Sequence, residues 1–206
     1  LRSHKALIAA VAVLALTLGA VVSYVTSRRE APHIDGSLWP QSKALTAFSL
    51  DGHQGKAFTL EALTGRWTLL FFGYTHCPDV CPVTLSVLKN AVALMEDAGV
   101  DPPQVVFVSV DPKRDTAEHL AAYVSYFNPR FVGVTGSDTE LKAFARQLGV
   151  LYVLNEADAD GNYLVDHTAG VFLLDPRARL VALFQAPQSA EAMARDIPRI
   201  QELEWN

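Results

Sequence analysis

The sequence predicts an α/β protein: a mostly parallel central sheet sandwiched between helices, preceded by one apolar helix long enough to cross a membrane. Three observations predict it. Bulky apolar runs of strand length recur along the chain, WTLLFFGY and VVFVSV among them. Stretches with apolar residues at helical spacing alternate with these runs, the pattern of β-α-β units. From Ala6 to Thr26 the chain carries no charged side chain (ALIAAVAVLALTLGAVVSYVT). A helix over that stretch spans the roughly 30 Å hydrocarbon core of a bilayer.

The apolar segment comes first, and residues 1–27 read as a membrane anchor. Arg2 and Lys5 precede it and Arg28 and Arg29 follow, so flanking charge orients it only weakly. A cleaved signal peptide is the competing reading. Leu18-Gly19-Ala20 matches the small-x-small cleavage pattern poorly, and the apolar run continues past it, which favours the anchor. Residues 28–43 (RREAPHIDGSLWPQSK) mix charge, Pro and Gly without period and read as a tether. Residues 44–206 are the expected folded domain, long enough for one substantial core.

Within that domain, Ala44–Leu50 and Ala57–Leu60 read as short strands around an Asp51-Gly52 turn. Trp67–Tyr74 is apolar on both faces and reads as a buried strand. Val83–Ala98 follows as a helix stopped by Gly99. Val105–Val110 is a second buried strand. Ala117–Phe127 is a helix capped by Thr116 or Asp115, with Pro129 beyond its end. Phe131–Val134 is a short strand, and Thr139–Leu148 a helix stopped by Gly149. Leu151–Leu154 reads as a further strand. Gly170–Leu174 and Leu180–Phe184 form a hairpin around residues 175–179. Residues 189–204 close the chain as an amphipathic helix, which Pro198 is expected to kink or restart.

Composition narrows the function. The chain carries a formal charge of −5. All 22 acidic residues lie beyond Ser27, with no basic block to oppose them, so nucleic acid is not an expected partner. Either reading of the apolar segment exports the domain to an oxidising compartment. Against that background, the chain has only two cysteines, Cys77 and Cys81, in GYTHCPDVCP.

They fall where a buried strand is expected to end and a helix to begin, the place where catalytic groups collect in open α/β sheets. Pro82 suits the first helical position. A thiol near a helix N-terminus feels its positive end and is acidified. Four residues apart on one turn, the two Cα atoms lie about 6 Å from each other, within disulfide range. The pair is therefore compatible with a structural disulfide, a dithiol–disulfide shuttle, or a soft metal site. A third ligand separates these, and the candidates are His33, His53, His76, His119 and His167. The first two read as solvated, and His119 as exposed on a helix. His76 adjoins Cys77 and His167 lies in the loop-like VDHTAG; position alone does not put His167 beside the cysteines. Asp79 reads as an outer ligand or a turn former. Asp166 reads as a partner for the neighbouring imidazole or as a surface acid. Asp111 and Asp115 read as loop and helix caps. Asp158–Asn162 has calcium-loop composition, but its glycine and terminal acid are misplaced for one.

GYTHCPDVCP, SVDPKRDT (Ser109–Thr116), FVGVTG (Phe131–Gly136) and VDHT (Val165–Thr168) occur in that order. With them, the sequence from about Ala44 to the last helix closely resembles the SCO/SenC family of membrane-anchored copper proteins. The resemblance implies a thioredoxin-like three-layer sandwich carried by an N-terminal transmembrane helix. It implies one copper per chain, Cu(I) or Cu(II), bound by Cys77, Cys81 and His167. The implied role is assembly of the Cu-A centre of cytochrome c oxidase, by copper delivery, by reduction of the target cysteines, or both. In the second case Cys77 and Cys81 are the redox-active catalytic pair. The implied partners are the oxidase subunit carrying the Cu-A site, a copper donor protein and a thiol reductase. No transit-like pattern precedes the anchor, so a bacterial inner membrane with a periplasmic domain is expected rather than a mitochondrial one. Two thiolates and an imidazole suit Cu(I), and Cu(II) with an added oxygen donor. The disulfide form cannot bind metal in this way. The rival from another class is a thiol–disulfide oxidoreductase that needs no metal.

Overall fold

A computed structural model describes His4, residues 11–20 and residues 34–203 of the chain, in two units divided after His33. In the first unit, residues 11–20 are helical (α1) and expose Val11, Val13, Leu14, Leu16 and Leu18. Among the described residues no helix is long and apolar enough to cross a membrane. The rest of the Ala6–Thr26 stretch and residues 28–33 of the expected tether lie outside the described residues.

The second unit begins with β1 (Ser37–Ala44), β2 (Ser49–Gly52), β3 (Ala57–Thr59) and a single turn, α2 (Leu60–Leu63). The alternating part follows: β4 (Thr68–Gly73), α3 (Val80–Asp97), β5 (Gln104–Ser109), α4 (Ala117–Phe127), β6 (Val132–Thr135) and α5 (Asp138–Gln147). It closes with β7 (Tyr152–Leu154), β8 (Val165–His167), β9 (Val171–Leu174), β10 (Arg179–Phe184) and α6 (Ala190–Gln201). Eight strands form one sheet in the order β1-β10-β9-β4-β5-β6-β2-β3, and β7 pairs with β8 in a separate two-stranded ribbon. The β4-β5-β6 centre is parallel, and antiparallel strands extend it on both sides.

The core sits on both faces of that centre. β4 is buried at every position, as a strand covered by helices on both sides must be. Alternation divides its side chains: Phe71 meets Phe107 on one face, while Phe72 meets Phe144 of α5 on the other. Tyr123 of α4 also packs on Phe107, and α3 packs against both α4 and α6. Helices therefore cover the sheet on two sides, giving three layers. Phe71, Phe72, Phe107, Phe144 and Phe172 are fully buried, each contributing roughly 1.5–3 kcal/mol of transfer free energy.

Local signals set the helix ends. Thr116 caps α4 by accepting from His119 N–H. Ser137 and Glu140 form a complete capping box at α5. Gly99 and Gly149 adopt φ of 72° and 70° just past α3 and α5. Each is followed by a valine whose N–H reaches back to the helix, Val100 to Met95 O and Val150 to Ala145 O. These are Schellman motifs, which favour glycine.

The structure differs from the sequence reading in several places. Residues 37–43 of the expected tether, together with Ala44, form the edge strand β1 on β10. The edge position and a bulge between Leu38 and Lys43 accommodate Pro40 there. Asp51 and Gly52 belong to β2, and the turn falls after them, where Gly55 has φ 74°. α3 starts at Val80, three residues earlier than its apolar spacing indicates, so Pro82 occupies the third helical position. It is still in the first turn, where no N–H is needed. α6 runs through Pro198 as one helix.

Candidate metal centre

At the carboxyl end of β4 the chain must leave the sheet and enter α3. Tyr74–His76 make that turn, with Cys77 N–H donating to Tyr74 O at 3.3 Å. The buried carboxylate of Asp115 holds it. Asp115 accepts from Thr75 N–H (2.9 Å), from Thr75 Oγ1 (2.6 Å) and from Ser109 Oγ (2.5 Å). Ser109 ends β5, so one acid ties the two parallel strands' exits together. Asp111 is equally buried. It accepts from Arg114 Nε (2.5 Å) and Tyr163 OH (2.6 Å). The Arg114 guanidinium lies 3.6 Å from the Tyr163 ring centroid and 5.6 Å from that of Tyr74.

Cys81 lies in the first turn of α3 and is fully buried, whereas Cys77 is half-buried just before the helix. Both are free thiols. The Cys81 backbone N–H, one of the donors a helix start leaves unpaired, points to Cys77 Sγ at 3.5 Å. Gly73 makes room for the Cys81 thiol. A Cβ at Gly73 would come within 2.7 Å of Cys81 Sγ and 2.7 Å of Phe107 Cε2.

His167 comes from the β7–β8 ribbon, where it pairs with Tyr152; it sits in a strand, not in the loop expected from VDHTAG. Its Nε2 is 3.5 Å from Cys81 Sγ. Its Nδ1 is 3.1 Å from Thr168 O. A proton donated to that carbonyl leaves the Nε2 lone pair facing the sulfur. Phe71 and Tyr74 stand edge-on to the ring at 6.0 and 6.1 Å. The ligand atoms of Cys77, Cys81 and His167 all lie within 4.8 Å of one another.

The two thiols are electrostatically unequal. The Cys81 S–H hydrogen bond lowers the Cys77 pKa to about 5, with help from the Cys81 and Asp79 N–H groups and against a desolvation cost. The same hydrogen bond to the Cys77 thiolate, with burial, pushes Cys81 up. The pair thus holds one proton, kept on Cys81. This is a thiolate with an adjacent thiol and imidazole, suited to a soft cation or to thiol exchange.

The other candidates fall elsewhere. His33 lies outside the described residues. His53 is not a solvated tip: its Nδ1 accepts from Gly133 N–H at 2.9 Å and pins β2 to β6. His76 and His119 are exposed but come together beside Asp115. Asp79 is the N-cap residue of α3, without a side-chain capping bond. Asp166 is exposed. Asp158 accepts from Asp160 N–H (3.0 Å) and Asn162 N–H (2.8 Å), an ordinary turn. Sequence reasoning missed Gly73, Ser109 and the buried role of Asp111 and Asp115. The signal available was the pair of acids in SVDPKRDT, here read as caps. A cleft of about 520 Å³ opens by Trp67, Gln104 and Arg130, at the other end of the parallel strands and without cysteine or histidine in its lining.

Comparison with known proteins gives the chain a family. The SCO1/SenC family model matches residues 39–202. The bovine "Protein SCO2 homolog, mitochondrial" is 38% identical over 153 residues, covering 74% of this chain and 58% of its own. The Arabidopsis thaliana "Protein SCO1 homolog 1, mitochondrial" is 44% identical over 138 residues, covering 66% of this chain and 41% of its own. The chain thus spans about half the length of these curated relatives. The structure of Bradyrhizobium japonicum ScoI with copper bound superposes with a TM-score of 0.67 at 37% identity, covering 76% of this chain and 99% of that one. The fold is accordingly the mixed, thioredoxin-like fold of the Sco structures, and the chain belongs to the SCO1/SenC family.

Proposed function

We propose that this chain is a membrane-anchored copper chaperone for assembly of the Cu-A centre of cytochrome c oxidase, carrying one copper on Cys77, Cys81 and His167. The carrying observation is that these three side chains, from two distant segments, bring their ligand atoms within 4.8 Å of one another. Family membership and the copper-bound relative support the choice of metal. The donor set supports it too: two sulfurs and one imidazole suit Cu(I), and an added oxygen donor suits Cu(II). Copper here is cargo. Its partners are a copper donor, a thiol reductase that opens the disulfide form, and the oxidase subunit that receives the metal. The uncharged stretch Ala6–Thr26 supports a single-pass anchor in a bacterial inner membrane, with the domain in the periplasm. The test is a copper titration of the reduced chain with its Cys77→Ala, Cys81→Ala and His167→Ala variants. Each substitution should lower affinity by more than about 100-fold, beyond the roughly 10–100-fold that loss of an outer-shell partner costs. An unchanged Cu(II) spectrum and affinity in His167→Ala would remove the histidine from the site.

One observation favours a second reading. An acidified, half-exposed Cys77 beside a buried Cys81 is the asymmetry of an attacking thiolate and a resolving thiol. In that reading the pair reduces the oxidase cysteines without metal. Dithiol exchange with a Cu-A subunit in the presence of a copper chelator separates the two.

A further inference from the structure

The turn that presents Cys77 carries a second group of ligands. His76, Asp115 and His119 bring one donor atom each within 4.8 Å of one another, with both imidazoles exposed and the carboxylate buried. They come from three places: the β4–α3 turn, the loop after β5, and the first turn of α4. The two rings stand edge to face at 5.3 Å. His76 Nδ1 lies 3.6 Å from Asp115 Oδ1.

The carboxylate is the unusual member. Asp115 is fully buried, yet among the described residues its only ion-pair partner is the His76 imidazole. The neighbouring Arg114 is committed to Asp111. A buried carboxylate is costly unless its charge is met. Its Oδ2 is filled by Thr75 N–H and Ser109 Oγ. Among the described residues its Oδ1 accepts one hydrogen bond, from the Thr75 hydroxyl, whose oxygen also lies 3.1 Å from His76 Nδ1; a second carboxylate lone pair is left for a metal. His119 Nδ1 lies 3.4 Å from Arg114 O; a proton on that nitrogen leaves Nε2 as its free donor.

From this arrangement we infer that His76, Asp115 and His119 form a second copper site, one that takes Cu(II) on two imidazole nitrogens and one carboxylate oxygen. Nitrogen and oxygen donors in this ratio suit tetragonal Cu(II), which binds most tightly among the common divalent ions, with water completing the coordination. Donors on one ion at roughly 2 Å sit about 3–4 Å apart. The present separations close to that value by rotation of the two exposed rings, with the carboxylate staying fixed. The site contains no sulfur. It therefore gives copper a place to bind when Cys77 and Cys81 are joined as a disulfide and the thiolate site cannot take metal. His76 is the chain neighbour of Cys77, so the two sites are one peptide apart.

The experiment removes the thiols first, so its result does not depend on the Cys77–Cys81–His167 assignment. The full chain carrying Cys77→Ser and Cys81→Ser is titrated with Cu(II) alone, read by EPR and by competition with a chromophoric chelator. The expected result is one Cu(II) per chain with hyperfine coupling to two imidazole nitrogens. Adding His76→Ala and His119→Ala should cost about 100-fold in affinity or more and abolish that coupling. The glutamine pair, His76→Gln with His119→Gln, keeps polarity and bulk and should behave like the alanine pair. Failure of the thiol-free chain to bind Cu(II) would overturn the inference. So would a spectrum and affinity that both double variants leave intact, since the ion would then lie on other imidazoles.

Discussion

Copper loading at neutral pH should displace one thiol proton, not two. The perturbation is a titration of the reduced full chain with Cu(I) in weak buffer at pH 7, supplied as its acetonitrile complex, with released protons counted by pH-stat. Two ordinary thiols with pKa of about 8.5 would each be about 97% protonated at that pH and would release close to two protons on binding as thiolates. The site is arranged otherwise. Cys77, with its pKa lowered to about 5 by the Cys81 hydrogen bond, is about 99% ionised at pH 7. Cys81, pushed up by the Cys77 thiolate and by burial, keeps its proton until metal replaces it. The expected count is therefore about one. A count near two would refute the shared-proton description of the pair. The folding consequence has a definite sign. A thiol depressed from its ordinary value to about 5 contributes stability that is fully present above the ordinary thiol range and is lost as pH falls through 5. The raised Cys81 opposes it at high pH.

Three further outcomes follow from the same geometry. Alkylation of Cys77 by iodoacetamide in the metal-free reduced chain should follow a titration with its midpoint near pH 5; a midpoint near 8.5 would contradict the acidification. Asp115→Ala should destabilise the fold by about 3 kcal/mol in urea unfolding, because it strands the Thr75 and Ser109 donors that the carboxylate now accepts. A loss below about 1 kcal/mol would mean that water replaces the carboxylate. Gly73→Ala should cost about 1–3 kcal/mol and weaken copper binding together, since its Cβ would sit 2.7 Å from Cys81 Sγ; normal affinity in a destabilised protein would separate packing from the site.

The parts of the fold legible in the sequence are those set by local physics. WTLLFFGY reads as a doubly buried strand because every position is apolar, and β4 is buried throughout. Helices α3 and α5 end where Gly99 and Gly149 supply positive φ. Illegible parts depend on partners far along the chain. Ser37–Ala44 becomes a strand only because β10 offers it an edge; alone, its proline and polar residues read as tether. The β7–β8 ribbon is only three residues long on each side, and the Val153 and Leu154 side chains of β7 are exposed, so no alternation announces it. For the site, cysteine spacing and the strand–helix junction were readable. The approach of His167 was not; only the ordered motifs implied it. Thr116 and Asp115 both suit the α4 cap by residue type; Thr116 holds it and the acid turns inward. Burial of a charge has no periodicity to betray it.

His167 follows Cys81 by 86 residues, and that separation gives the centre a place in time. Contacts of such long range form late, because loop-closure entropy must be met before they stabilise anything. A chain folding from its N-terminus first presents the two thiols with no imidazole. Only when the β7–β8 ribbon has docked across the end of the sheet does the third donor arrive. A donor protein that requires all three ligands would therefore distinguish finished from unfinished copies by chemistry alone, and copper would be entrusted only to chains whose last third is in place.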